Sequence, residues 1–478
     1  MIRTGDEYRE SIRDGREVWI NGERVADVTT HPMFKPIVDV RARIYDLQHE
    51  DARLTYQQDG QTNAISYKPP RTQADWHAKR AATDAVLNDI GGVVTRVGDE
   101  TIGEMWSLYD GQDVLNQIDS TFSANVRDHI DRACYADPFH VSANTDPKGD
   151  RSKRPQDQDP DMLLHVVRET DNGIVVRGAK YETAAAYANQ AFVKPTIANW
   201  GNEALSDYAL GFIVEMGQPG LRYICRTGFA GRAPAEDYPL SNRFDEVDTL
   251  VIFDDVEIPW ENVLFYRHTA AATFIRATLH RYSAFAFVQR IQKYADMMIG
   301  TALWNVKQTG LEQQQAVQEK LAQLACYREG INAHLTASIA SAVESPGGLL
   351  MPDPSLLYTG RVLACSQLPA MMHLARELCG GQICVTPDSA SFREPEIAKW
   401  LEKYYSINAN WVADDRRKLL AYGRDLLNSD YAGHRLTFQL FAQSPPFAHL
   451  GAVYRNFDFD QALSFVKDSA GLSNGILG

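Results

Sequence analysis

The reading of the chain turns on Met162–Thr183, "MLLHVVRETDNGIVVRGAKYET". Two short runs of Leu, Val and Ile flank an Asp-Asn-Gly turn, the pattern of a β-hairpin. Upstream the period is different. "QADWHAKRAATDAVLNDIGGVV" (73–94) and "DETIGEMWSLYDGQDVLNQI" (99–118) repeat apolar residues every three or four positions, so residues 1–143 read as a mainly helical region. Its one exception is "VWINGERV" (18–25), a small hairpin on an Asn-Gly turn. Downstream of the hairpin, "AFVKPTI", "YALGFIVEM", "LRYICRT" and "TLVIFDDVEIP" are further short strands bounded by Gly, Pro, Asp or Asn, which predicts a β domain over 144–268. From 269 to 478 the period is helical again. Segments 273–306, 311–343, 355–380 and 394–428 predict a four-helix bundle followed by a C-terminal tail. The fold class expected is therefore α+β, with three domains.

Bulk properties narrow the function. The 478 residues carry 48 Lys and Arg against 62 Asp and Glu, a formal charge of −14. Such a surface disfavours nucleic acid and anionic membranes, and an anionic ligand must be met by a local basic site. "MIRTGDEYRESIRDGREVWING" has no apolar core of signal-peptide length, and no stretch of about 18 apolar residues occurs, which predicts a cytoplasmic protein. The six cysteines are scattered without metal-ligand pairing and read as small buried hydrophobes, so no metal site is expected. One segment stands out against the acidic background. "NTDPKGDRSKRPQDQDPDMLLHVV" (144–167) is a charged, proline-broken loop that runs straight into the central hairpin.

The order helices, β domain, bundle resembles the acyl-CoA dehydrogenase type of flavoprotein. Four stretches narrow the resemblance: "REVWINGERVADVTTHP" (16–32), "DPKGDRSKRP" with "GIVVRGAK" (146–180), "VIFDDVEIPWENV" (251–263) and "ELCGGQICVTPDSASFREPEIAKWLEKYY" (377–405). They are similar, nearly over the full length, to the oxygenase components of the 4-hydroxyphenylacetate 3-monooxygenase family, two-component aromatic monooxygenases. The resemblance implies FAD, delivered as FADH2 by a separate NAD(P)H-dependent flavin reductase. It also implies hydroxylation of a small phenolic substrate through a flavin C4a-hydroperoxide, in a homotetramer built as a dimer of dimers. The absence of a GxGxxG motif opening a βαβ unit agrees with a separate reductase.

Carried over residue by residue, the resemblance places Asn144, Asp146 and Arg151 of the charged loop against the flavin, with Lys148 and Lys153 nearby. It puts the Thr183 hydroxyl at the N5/O4 edge, where a strand threonine is otherwise only a good β-former. Gly380 and Gly381, by themselves an ordinary helix C-cap, would approach the cofactor from a neighbouring subunit. His434-Arg435 stands where relatives carry Arg-His, and Arg435 is expected to face the flavin. His280 matches the catalytic histidine, a general base suited to neutral pH. Arg96 matches an arginine at the substrate hydroxyl, where its permanent charge would hold a phenolate. Asn456 falls at the pocket mouth.

Two positions depart from the family pattern. Glu100 replaces a tyrosine four residues after the arginine. Ser142 occupies a histidine position, with His140 displaced by two. Both are expected to touch the substrate, and the carboxylate points to a substrate other than 4-hydroxyphenylacetate, such as one bearing an amine. Dehydratase relatives with an iron–sulfur cluster are set aside, because Phe287 stands where a cysteine ligand would and 106–113 lacks a cysteine pair. Two other readings remain at this point: a flavin-linked dehydrogenase or desaturase acting on a thioester, and a non-catalytic flavin-binding relative.

Overall fold

The computed structural model describes residues 1–97, 99–195, 203–407, 411–441 and 444–472, without the side chains of Asp99 and Glu100. The central hairpin forms as its sequence demands. His165–Thr170 pairs antiparallel with Gly173–Thr183 across the Asp171-Asn172 turn. Gly173–Thr183 then pairs with the long strand Asp248–Pro259. That strand pairs in turn with Leu221–Cys225.

The sheet extends beyond the predicted β domain. Strand Glu17–Ile20 of the N-terminal hairpin docks parallel to Leu221–Cys225, and Glu23–Val25 forms the edge, giving six strands in one sheet. The turn between these two strands needs positive φ at both central residues, and Asn21 (+53°) and Gly22 (+80°) supply it. A second, four-stranded sheet holds Val263–Phe265, Gly211–Glu215, Gln190–Val193 and His140–Ala143. Its last strand also comes from the N-terminal side of the division expected at 143/144. Local period identifies a strand but not its partner, which here lies 50 to 200 residues away along the chain.

The N-terminal part otherwise holds a separate hairpin, Thr55–Gln58 with Gln61–Ala64, and chiefly the helices Gly5–Ser11, Lys35–Glu50, Gln73–Ile90, Asp99–Asp110 and Ser120–Ala136. Capping boxes start two of them, Thr4 with Glu7 and Thr72 with Asp75. C-terminally, the long helices His280–Thr309, Gln315–Ala340, Pro354–Cys379 and Ala413–Leu427 form the bundle. The first predicted bundle helix is divided, with Thr269–Thr278 separated from His280–Thr309 at Leu279. The Ser107 hydroxyl donates to the carbonyls of Thr278 (2.9 Å) and Leu279 (3.4 Å) at this division. The fourth predicted helix is likewise two, Pro395–Tyr405 and Ala413–Leu427. Beyond the bundle, helices Asp430–Phe441, Pro446–Asn456 and Phe459–Ala470 complete the described chain. No helix among the described residues is long and apolar enough to cross a membrane.

Candidate active site

The site grows from a strained corner between the helices Gln73–Ile90 and Asp99–Asp110. The Thr95 amide donates to both oxygens of Glu246 (2.8 and 2.9 Å) and its hydroxyl donates at 2.6 Å. Arg41 donates to the carbonyls of Thr95 (2.8 Å) and Arg96 (2.7 Å). Clamped from both sides, Arg96 takes φ +53°, a conformation costing a non-glycine residue about 1–3 kcal/mol. The result is a guanidinium turned inward, onto Glu182, with Thr95 Oγ1 at 3.1 Å. Burial pushes Glu246 toward its acid form, but Arg435, Thr95 and Arg41 outweigh it and hold its pKa below the ordinary value.

Alternation along Gly173–Thr183 sorts the next residues. Lys180 and Glu182 point inward, while Tyr181 and Thr183 lie on the other face. Lys180 pairs with Asp146 and also donates to the carbonyls of Lys194 (2.9 Å) and Asn144 (3.4 Å). Lys194 meets Glu104 at 2.6 Å and donates to Ser142, whose hydroxyl bonds Glu104 and lies 2.9 Å from Asn144 Oδ1. Ser142, Asn144 and Asp146 are therefore brought together by two buried lysines absent from the sequence-derived site. Burial pushes Glu182 up to about 8, against the pull of Arg96 and Lys194, and Glu104 adds to the rise. Burial also lowers Lys194, opposed by Glu104. A lysine at an inward strand position followed two residues later by a glutamate, as in "AKYET", is the sequence signal for such pairing.

Behind Arg96 lies a cavity of about 80 Å³, lined in part by Tyr67, Lys79, Thr101, Asp137 and His140. His140 has Nδ1 3.3 Å from the Tyr67 hydroxyl and Nε2 3.2 Å from Nε2 of His129. Burial depresses His140 to about 4 and holds His129 well below its usual value, so both imidazoles are neutral at pH 7. His140, not Ser142, thus shares a cavity wall with Arg96.

His280 is the first residue of the long bundle helix and is buried, with Nδ1 3.2 Å from Ser283 Oγ. Helix Asp99–Asp110 crosses it closely. A Cβ on Gly103 would stand 2.9 Å from the Ser283 amide, so only glycine allows the approach. The neighbouring residue on that helix, Glu104, is the partner of Lys194. One packed chain therefore links His280 and Ser283 through Gly103 and Glu104 to Lys194, Ser142, Glu182 and Arg96. Glu100 belongs to the first turn of the same helix, but its side chain lies outside the described residues.

On the other face of the strand, Thr183 donates its hydroxyl proton to Asp248 Oδ1, directly across the pair of strands. Asp248 Oδ2 lies 2.6 Å from His434 Nε2 and 3.1 Å from Arg226 Nε. Burial works against the Asp248 charge, but His434, Arg226 and Thr183 together depress its pKa strongly. The His434 ring stacks with Phe438 and meets Phe229 edge-on, and its buried Nδ1 has no hydrogen-bonding partner among the described residues. Its neighbour Arg435 is buried against Glu246 at 3.0 Å. Of the two, it is His434 that bonds Asp248, the partner of Thr183.

Three expected contacts are not assembled within one chain. Arg151, with Lys148 and Lys153, is exposed on its loop, although the loop is pinned to the sheet where Tyr181 donates to the Thr145 carbonyl (2.7 Å). Gly380 and Gly381 are exposed at the end of helix Pro354–Cys379, where Gly380 takes φ +72°. Asn456 is exposed, and its amide is spent on the Ala452 carbonyl at 2.7 Å. Two polar groups of residues therefore flank the strand, Thr183 with Asp248 and His434 on one face, and Glu182 with Arg96, Lys180 with Asp146 and Lys194 with Glu104 on the other.

Known proteins share both the sequence pattern and the fold of this chain. Residues 4–265 match the model for the 4-hydroxyphenylacetate 3-hydroxylase N-terminal region, and residues 269–471 match that for its C-terminal region. The chain is 29% identical to the 4-hydroxyphenylacetate 3-monooxygenase oxygenase component of Thermus thermophilus, over 98% of both chains. It is 30% identical to the 4-nitrophenol 2-monooxygenase oxygenase component of a Rhodococcus species, over 91% of this chain and 85% of the relative. A solved structure of the oxygenase component of 4-hydroxyphenylacetate 3-monooxygenase, complexed with FAD and 4-hydroxyphenylacetate, superposes with a TM-score of 0.90 at 29% identity, covering 98% of this chain and 99% of that one. Matched by both halves of one family model and folded like its solved members, the chain belongs to the 4-hydroxyphenylacetate 3-hydroxylase family, flavin-dependent monooxygenases with an acyl-CoA dehydrogenase-like architecture.

Proposed function

We propose that this protein is the oxygenase half of a two-component monooxygenase that hydroxylates a phenolic substrate, with His280 as the base and Arg96 as the phenolate-binding cation. The observation that carries the assignment of residues is the packed chain joining His280 to Arg96 through Gly103, Glu104 and Glu182. Reduced FAD, supplied by a separate reductase, brings the electrons that activate O2. The protein does the rest. With Nδ1 engaged by Ser283, His280 takes the phenolic proton at Nε2, which raises the electron density of the ring. Arg96, oriented by Glu182, stabilises the resulting oxyanion at no cost in reorganisation. Thr183 faces the cofactor, with His434 behind it on Asp248, and Lys180 fixes Asn144 and Asp146 on the loop that adjoins the same strand. Glu104 and Glu182 are both engaged by cations, which leaves neither as the free carboxylate base a thioester dehydrogenase requires.

The assembly completes the site. Helices Pro446–Asn456 and Phe459–Ala470 expose Phe447, Leu450, Tyr454, Phe465 and Val466, each more than half accessible in one chain. A second copy covers them, and the Gly380-Gly381 turn reaches the neighbour's cofactor in a homotetramer. The enzyme test combines the protein with FAD, a generic NADH-dependent flavin reductase and a panel of phenols, some bearing amines, and looks for products heavier by one oxygen atom. His280→Ala should lower the yield by about 10²-fold or more while flavin binding persists. Undiminished product from that variant refutes the assignment of the base.

A further inference from the structure

We propose that the chain His434–Asp248–Thr183 makes the Thr183 hydroxyl a fixed hydrogen-bond acceptor, and that this sets the preference of the site for reduced over oxidised flavin. The inference rests on the reading above that a flavin ring faces Thr183, and names the residues that act through it.

A threonine hydroxyl has one proton and two lone pairs. Here the proton is committed to Asp248 Oδ1. For the bond to reverse, Asp248 would have to be protonated, and its other oxygen is held by His434 Nε2 at 2.6 Å and by Arg226 Nε at 3.1 Å. Arg226 is itself anchored on Asp245, which also accepts from the amides of Phe229 and Ala230. An ionised carboxylate that receives donors on both oxygens cannot give a proton back, and its low pKa is the thermodynamic expression of the same contacts. Thr183 Oγ1 can therefore only accept from whatever lies in front of it. The two states of a flavin differ at this point, because the reduced ring carries N5–H, a donor, and the oxidised ring presents a lone pair. An acceptor oxygen favours the first and repels the second. His434 and Asp248 are positioning residues, and only Thr183 faces the ring.

The prediction is read in binding, without turnover. Anaerobic titrations with FAD and with FADH2 give two dissociation constants, whose ratio fixes the shift in potential of the bound flavin. The wild-type protein should bind FADH2 at least tenfold tighter than FAD, equivalent to raising the potential by about 30 mV for a two-electron couple. Thr183→Val keeps the shape and removes the oxygen, and should erase most of that ratio, while Thr183→Ser should restore it. In Asp248→Asn the amide oxygen is drawn to Arg226 and His434, so its NH2 faces Thr183 and frees the hydroxyl proton, and the preference should move toward oxidised FAD. If Thr183→Val weakens both states by the same factor, the hydroxyl is merely structural and the proposal fails. It fails equally if the wild type binds the two states alike. If the wild type binds neither state, it is the flavin assignment itself that falls.

Discussion

At the scale of single residues, the site is a set of buried charges, each tolerable only because of its partners. Lys194 and Glu104 are almost wholly buried, and Ser142 bridges them. Lys194→Met should cost about 3–5 kcal/mol in denaturant unfolding, because it strands the Glu104 carboxylate. Adding Glu104→Gln should recover much of that loss, and additive effects in the double variant would show that the pair is not coupled. The buried imidazoles predict a pH dependence. His140 titrates near 4 in the folded chain and near its ordinary 6.5 when unfolded. Between these values only the unfolded state takes up the proton, so stability is complete above about pH 6.5 and falls as the pH drops toward 4. His129 contributes with the same sign. Urea midpoints at pH 7 and 5 should differ in the wild type and differ less in His140→Phe. Residue chemistry also explains which site assignments could be read early. His280 and Arg96 came forward only by their match to family positions, whereas Lys194, Asp248 and Glu182 gain their meaning from partners more than 50 residues distant.

At the scale of elements, the decisive event is the crossing of Asp99–Asp110 over the start of His280–Thr309. The Ser107 hydroxyl meets the chain at Thr278 and Leu279, and Gly103 lets the backbones close, so the helix crosses just where His280 begins the long bundle helix. Gly103→Ala places a methyl group against backbone and should cost about 1–3 kcal/mol. It should also lower hydroxylation more than flavin binding, since it moves His280 and leaves the Thr183 strand untouched. Equal losses in both would argue against the crossing as the device that positions the base. The strands were legible because their period and turn residues agree, as at Asp171-Asn172. The division at Leu279 was not, because "RATLHRYS" is uninterrupted helix by period, and the hydroxyl that meets it comes from another helix.

At the scale of the whole molecule, the unpaired apolar arm predicts association. Replacing Phe447 and Tyr454, both more than two-thirds exposed in one chain, with aspartate should shift light-scattering mass to smaller species and weaken FAD binding, because Gly380 and Gly381 would be withdrawn. An unchanged mass would place the subunit contacts elsewhere. The amino-acid sequence alone determined the succession of helical, β and helical regions and the hairpin at 165–183, because period and turn chemistry are properties of neighbouring residues, and only through the family resemblance did it single out His280, Arg96 and Thr183. Tertiary structure decided that the N-terminal hairpin joins the central sheet, that Arg435 pairs with Glu246 while His434 pairs with Asp248, and that Ser142 is held between Glu104 and Lys194. Those outcomes depend on which buried charge finds which counter-charge, and pairing at close range in a low-dielectric interior is settled by packing, not by order along the chain.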